Sequence, residues 1–244
     1  MKIGNICMKR IIIVDCRADE ETIKSLKKAG YTVIPTMILS CVYDAIASHA
    51  DIQIHYLSNN RFVCAPEAFE HYKKFLPDSF TLIKGSKSLA AKYPADIPYN
   101  AAAVGKTLIC NSCSTAIEIL REYSCKGRHI LNVAQGYAKC STCVVSDKAI
   151  ITADTSIAKA ATDNGIDVLK ITEGHIDLKN MNYGFIGGAS GLIEKNVIAF
   201  NGELGAHPDG DKIKQFCNNH DVEITELKTG ILCDIGTFIS NIDF

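Results

Sequence analysis

A pattern of hairpin, helix and strand recurs along this chain, and it constrains the fold more than any composition figure does. The clearest copy begins near Gly136. Ser141 to Val145 reads as a strand, Ser146-Asp147-Lys148 as a turn, and Ala149 to Thr152 as the returning antiparallel strand. Asp154, Thr155 and Ser156 offer side-chain oxygens to the free N–H groups of a helix start. Ile157 to Asp163 is then helical, Asn164-Gly165 supplies a left-handed stop, and Val168 to Ile171 is a third strand.

Three further copies keep this order. Asp51 to Leu57 and Arg61 to Cys64 flank the turn Ser58-Asn59-Asn60; Pro66-Glu67 opens a helix with Phe69, Tyr72, Phe75 and Leu76 on one face, and Phe80 to Ile83 is its third strand. Asn100 to Val104 and Thr107 to Cys110 precede a helix over about Ser114 to Tyr123 and a strand at Ile130 to Val133. Ala189 to Ile193 and Val197 to Phe200 precede a helix that opens near Pro208 and a strand at Val222 to Leu227.

The remaining pieces lie at the two ends. Asp234 to Ile239 reads as a first strand with no returning partner. Arg10 to Val14, the helix Asp19 to Ala29 and the strand Tyr31 to Pro35 are a unit that lacks its first strand. Pairing the two completes a fifth unit and closes a ring. Aligned starts at residues 53, 100, 141, 189 and 235 are 47, 41, 48 and 46 apart. We therefore expect one domain over residues 1–244, a five-fold pseudosymmetric α/β propeller of ββαβ units. Four-stranded propeller blades contain no helix, and a doubly wound sheet has no hairpin before each helix. Met37 to Ala47 reads as an extra helix and Ser86 to Pro98 as a long connection.

Composition narrows the function classes. A net charge of −1 leaves no basic field for nucleic acid or a membrane surface. No uninterrupted apolar run reaches the roughly 18 residues of a membrane span. The segment Met1 to Met8 has no signal-peptide core, and Met8 is an alternative start. Eleven scattered cysteines suit a reducing cytoplasm better than a disulfide framework.

Two CxxC pairs, Cys110 with Cys113 and Cys140 with Cys143, raise the question of zinc. Cys140 and Cys143 bracket a strand start, where residues three apart point to opposite faces. The pairs therefore read as core thiols, with no metal expected. The repeat register picks out a different set. It places Asp51, Lys139, Gly187 and Cys233 at one equivalent position, and Cys140, Gly188 and Asp234 one step on. With His49, these residues are expected to converge on a central channel, with Asn100 and Ser141 at neighbouring unit starts. A thiol beside an imidazole is a candidate nucleophile, and paired carboxylates can hold a guanidinium. Each residue taken alone could equally be an ordinary strand or cap residue.

Five ββαβ units joined through the termini resemble the pentein fold of guanidino-group-modifying enzymes. The overall sequence resembles most a bacterial branch of that superfamily whose activity is not assigned. His49-Ala50-Asp51 is similar to the His-x-Asp segment of the deiminases, and Cys233 resembles the placement of their nucleophile. That resemblance implies a thiol-dependent hydrolase or amidinotransferase acting on a small cationic guanidine, without a cofactor. Cys233, His49 and Asp51 would be catalytic, and Asp234, Cys140, Lys139, Ser141, Asn100, Gly187 and Gly188 would bind substrate. In the active enzymes the His-x-Asp segment lies in the unit before the cysteine, and small residues follow that cysteine. Here the segment lies in the first complete unit and Asp234-Ile235 follow Cys233, so Cys140 competes for the nucleophile's role. The enzyme reading requires Cys233 or Cys140 to approach His49, with a pKa below the ordinary ~8.5. The superfamily also includes a non-catalytic ribosome-binding factor, so a small-molecule- or macromolecule-binding protein is the alternative. A homodimer is compatible with either.

The glycine-rich Gly184 to Gly191 enters a strand rather than a helix and so lacks a dinucleotide-binding context. His207 to Asp211 reads as the opening of a helix. His175 and His220 have no partner in sequence and read as surface residues.

Overall fold

The computed structural model describes residues 10–243. Met1 to Met8, read above as lacking a signal core, lies outside the described residues. The chain opens with β1 (Ile11–Val14), α1 (Glu20–Lys28) and β2 (Thr32–Pro35). A second unit comprises α2 (Ala50–Gln53), β3 (Ile54–Ser58), β4 (Arg61–Cys64), α3 (Phe69–Phe75) and β5 (Thr81–Lys84). A third has β6 (Ala102–Val104), β7 (Thr107–Cys110), α4 (Ile117–Cys125) and β8 (His129–Asn132). Then come α5 (Ala138–Ser141), β9 (Cys143–Val144), β10 (Ala149–Thr152), α6 (Thr155–Asp163) and β11 (Asp167–Lys170). The last complete unit is β12 (Ser190–Glu194), β13 (Val197–Phe200), α7 (Gly210–Asn219) and β14 (Glu223–Glu226), and β15 (Ile239–Ser240) ends the series.

These strands form five three-stranded sheets of one pattern. In each complete unit a hairpin pairs the first two strands antiparallel, and the strand after the helix returns parallel to the second. The fifth sheet draws on both ends of the chain. β15 pairs antiparallel with β1 through Ile12–Ser240 and Ile13–Ile239, and β2 lies parallel on β1's other side. The Ile11 amide also donates to Asn241 Oδ1 at 3.3 Å.

The middle strand of every sheet carries the core. Ile11, Ile12, Ile13 and Val14 of β1 are fully buried, as are Phe62 and Val63 of β4, Ile109 of β7, Ile150 of β10 and Ile198 of β13. Such runs are apolar on both faces because both faces are covered. Burial of each large aliphatic side chain contributes roughly 1.5–3 kcal/mol. The helices supply the cover through i, i+4 faces, as with Thr22 and Leu26 of α1 or Ile157 and Ala161 of α6. Asp154 caps α6 as the sequence suggests, its Oδ1 accepting from the Ser156 and Ile157 amides at 2.8 Å each.

The first strands lie side by side: β15 contacts β3 and β12, and β9 contacts β6 and β12. A cavity of about 120 Å³ runs among them, lined by Tyr56 of β3, Ala103 of β6, Val144 of β9, Leu192 of β12 and Ser240 of β15.

Three expectations need correction. The strands read from Asp51 and from Ser141 each start with a helical turn, α2 and α5, and become extended only at Ile54 and Cys143. Met37 to Ala47 is not a helix; one 3₁₀ turn, Asp44–Ile46, is all that forms. The final strand is confined to Ile239–Ser240, because Asp234 to Thr237 spend their amides on loops instead: Asp234 N on Asp177 O, and Ile235 N and Thr237 N on Gly188 O.

Candidate functional site

The site is assembled at the beginnings of the first strands. His49 precedes α2, and the loop before it is tied down by Arg17, whose guanidinium donates to the carbonyls of Asp44 and Ala45. Ser48 donates to the buried Asp15 at 2.8 Å, and its carbonyl accepts from Thr36. The Asp51 amide donates to Gly236 O at 3.1 Å, so the start of the second unit is docked directly on the C-terminal segment. Gly236 has φ +67°, and a Cβ there would run into the His49 side chain. Only glycine meets both demands.

Cys140 sits in α5, whose amides are organised by Asn100. Asn100 Oδ1 accepts from the Lys139 amide at 2.7 Å and the Cys140 amide at 3.4 Å, while its Nδ2 lies 3.2 Å from Cys140 Sγ. The Cys140 thiol donates to Asp51 Oδ2 at 2.9 Å. Lys139 Nζ donates to Gly187 O at 3.1 Å and Thr237 Oγ1 at 2.7 Å. Thr237 itself holds φ +70°, a strained value for a β-branched residue, and it is fully buried.

Asp234 completes the group. Its Oδ1 lies 3.8 Å from His49 Nδ1 and accepts from the Gly236 amide at 2.9 Å, and its Oδ2 accepts from the Phe185 amide at 2.8 Å. The glycine-rich stretch makes room for this carboxylate: a Cβ on Gly188 would fall within it. Gly188 also bridges the partners, donating to Cys140 O at 3.0 Å and accepting from Ile235 and Thr237. A Cβ on Gly187 would meet the carbonyls of Lys139 and Thr142. Ser141 is buried beside the group with its hydroxyl oxygen unpartnered, on the wall of a second cavity of about 190 Å³ that Gly184 and Phe185 also line.

Thus His49, Asp51, Cys140 and Asp234, at most 3% exposed, meet in one buried cluster with Lys139 and Asn100. His49 Nδ1 and Asp51 Oδ1 have no hydrogen-bond partner. Burial, with the charges of Asp51 and Asp234, raises the Cys140 pKa well above the ordinary thiol value. Burial also raises Asp51, helped by Asp234 and opposed by His49. Lys139 is lowered by burial against the pull of Asp51 and its acidic neighbours. The ligand atoms of His49, Asp51 and Cys140 lie within 4.8 Å of one another, close enough to hold a metal ion.

Cys233 stands apart from this cluster. It is half-buried, packs against the core cluster that includes Ile12, Val14, Leu26 and Leu227, and its sulfur lies 3.9 Å from the Asp234 carbonyl. Burial pushes its pKa up to about 11. Neither thiol shows the depressed value that the sequence reading anticipated. The ten described cysteines are all free; within the CxxC pairs, Cys110, Cys140 and Cys143 are buried and Cys113 is exposed.

Several neighbours were missed by sequence reasoning. Tyr137 OH donates to Asp96 Oδ2 and lies 3.1 Å from Tyr43 OH. Burial raises the pKa of Tyr43, and so do the charges of Asp96, Cys140 and Asp234, which puts its hydroxyl in the cluster's field. The Tyr137 and Phe185 rings stack at 6.5 Å. Tyr43 and Asp96 come from connections outside the repeat, so the unit register carried no signal for them. His220, which has no partner in sequence, lies 3.0 Å from Asp167 Oδ2. His175 is exposed, with its ring 5.8 Å from that of His207.

Five repeated three-stranded units with this arrangement define the pentein fold. Two solved structures share it over nearly the whole chain. One is dimethylarginine dimethylaminohydrolase in an adduct with 4-chloro-2-hydroxymethylpyridine (TM-score 0.53, 10% identity, 96% of this chain and 100% of that one). The other is SxtG, an amidinotransferase from Microseira wollei in the saxitoxin biosynthetic pathway (TM-score 0.56, 10% identity, 96% and 94%). By sequence, residues 13–239 match the family described as "Family of unknown function (DUF6873)", and the chain belongs to that family. No curated protein matches the sequence.

Proposed function

We propose that this chain is a cytoplasmic, single-domain enzyme that modifies a small guanidine or amidine, its five units closed into a ring around the site. Support for closure comes from the β1–β15 pairing and from a cavity lined by all five first strands. The chemistry rests on one observation above all: the Cys140 thiol donates to Asp51, with His49 and Asp234 alongside. Cys140, rather than Cys233, is the nucleophile in this reading. The neighbours' chemistry, a dimethylaminohydrolase and an amidinotransferase, agrees with it.

The planar cation would sit on the Tyr43–Tyr137 side of the cluster, between the Asp51 and Asp234 carboxylates. Its charge offsets the two acids that hold Cys140 protonated, so binding favours the thiolate. The thiol proton passes to Asp51, and the sulfur electron pair adds to the central carbon. One C=N pair moves onto nitrogen. His49 then delivers a proton to the departing nitrogen, which leaves as ammonia or an amine with the electrons of the broken C–N bond. Water gives a proton to the now neutral His49 and adds to the carbon bonded to sulfur; the C–S bond then breaks with its electrons on sulfur, which takes back from Asp51 the proton it gave up. An amine acceptor in place of that water would make the enzyme a transferase. Lys139, Asn100, Ser141 and the Gly187-Gly188 backbone position these groups. No cofactor enters the scheme.

The test compares Cys140→Ala with Cys233→Ala against a panel of guanidines and amidines, following ammonia and amine release. Loss of the nucleophile should cut turnover by at least about 10³-fold in Cys140→Ala, leaving Cys233→Ala within severalfold of the parent. The opposite result would return the role to Cys233. A second reading, non-catalytic ligand binding, draws on the raised Cys140 pKa. Saturable guanidine binding without turnover, unchanged in Cys140→Ser, would favour it.

A further inference from the structure

The cavity among the first strands reaches the cluster from behind, and its floor includes Asp51 and Lys139. Most of its polar lining is already committed. Tyr56 OH donates to Asp243 Oδ1 at 2.9 Å, and the Asn59 amide takes the same oxygen. Ser58 is held by Lys126 and Glu122, Ser240 by Leu192 O, and Tyr99 by Lys87 O. Asp51 Oδ2 receives the Cys140 thiol.

Two groups remain. His55 is 6% exposed, lines the cavity, and has no partner for Nε2. Burial, assisted by the Lys139 charge, pushes its pKa down to about 4, so the ring is neutral near pH 7. Lys139 directs two hydrogen bonds at Gly187 and Thr237, and an ammonium has three donors. Arg128 adds a second positive charge to the lining, its guanidinium 5.4 Å from the Tyr123 ring centroid. The remaining walls are apolar: Ala103, Val144, Leu192, Phe238 and Ile242 among them.

We infer that this cavity is a second binding site, adjoining the proposed guanidine site at Asp51 and Lys139, for a small monocarboxylate with a short apolar tail. The carboxylate would take hydrogen bonds from His55 Nε2–H and the spare Lys139 donor. The tail would lie along the strand side chains. Asp51 and Asp243 offset the charges of Lys139 and Arg128 in the lining, so the choice of an anion rests on these two free donors, and an apolar ligand without a polar head would leave His55 Nε2 buried and unsatisfied.

Calorimetric titration of the full chain with hexanoate, hexylamine and hexanol tests this. Hexanoate should bind at one site per chain, at least about tenfold tighter than either control. His55→Phe, which removes the donor, and Ala103→Phe, which fills the space, should each weaken binding about tenfold or more. His55→Gln, which keeps an N–H donor, should stay within about threefold. Should the variants fail to fold, methyl shifts at Val144 and Leu192 in the unaltered protein locate the ligand. Absence of hexanoate binding, equal binding of hexylamine, shifts confined to other methyls, or guanidine binding at these methyls would each overturn the inference.

Discussion

A thiol that donates to a buried carboxylate is a poor nucleophile until its surroundings change. Cys140 is such a thiol, raised by burial and by Asp51 and Asp234. In the ligand-free protein near pH 7, iodoacetamide should therefore label exposed Cys113 and Cys125 well before Cys140. Chloroacetamidine, an electrophile that brings its own positive charge, should reverse that order at Cys140. Peptide mapping after timed quenching reads both, and rapid iodoacetamide labelling of Cys140 would contradict the resting state described. His55 makes a second prediction. In the unfolded chain it takes a proton near pH 6.5, but in the folded protein only near pH 4. The unfolded state thus binds more protons in that window, and stability falls as pH drops from about 6.5 to about 4, by up to ~3 kcal/mol. Urea unfolding across this range should show the slope, and His55→Phe should flatten it, leaving the smaller share of His207, whose pKa burial also lowers. The meeting of Asp51, Cys140 and Asp234 was legible in the sequence because all three occupy unit starts. The separation of Cys233 was not, since neighbours in sequence at a loop face different surroundings: Asp234 turns to His49 while Cys233 packs against the core cluster of Ile12, Val14 and Leu227.

At the scale of elements, the hairpins and helices were readable because turn residues and caps act locally. The helical turns α2 and α5 were not, because distant groups hold them. The Asn100 side chain organises α5, and Gly236 O receives the Asp51 amide at α2. Leu39, Val42 and Ile46 are buried at near-helical spacing, yet Arg17 and Gln53 hold that segment by its carbonyls. The glycine-rich connection before β12 acts as a girder among Cys140, Asp234 and Thr237, and it fails if it gains bulk. Gly188→Ala places a methyl within the Asp234 carboxylate, so either the loop or Asp234 must move. A loss of roughly 1–3 kcal/mol is expected, of the size seen for overpacking. Chemical denaturation measures it, and unchanged stability with an unmoved Asp234 would show that the close approach is not needed.

At the scale of the molecule, the fifth sheet joins residues more than two hundred positions apart. Removing Asp234 to Phe244 takes away β15, the buried Phe238 and Thr237, one of the two acceptors of Lys139, and leaves β1 with an open edge. The shortened chain should unfold at lower denaturant and self-associate in gel filtration; a monomer of parental stability would count against closure. The same arrangement bears on the order in which the protein is made. β1 emerges early in synthesis and pairs at once only with β2; its other edge waits until Ser240 exists. Asp234 arrives in that same late stretch, together with the Gly236 carbonyl that secures Asp51. A nascent or prematurely stopped chain can therefore fold most of its sheets, yet it carries no complete cluster, so the proposed chemistry would be withheld until synthesis has passed the last strand.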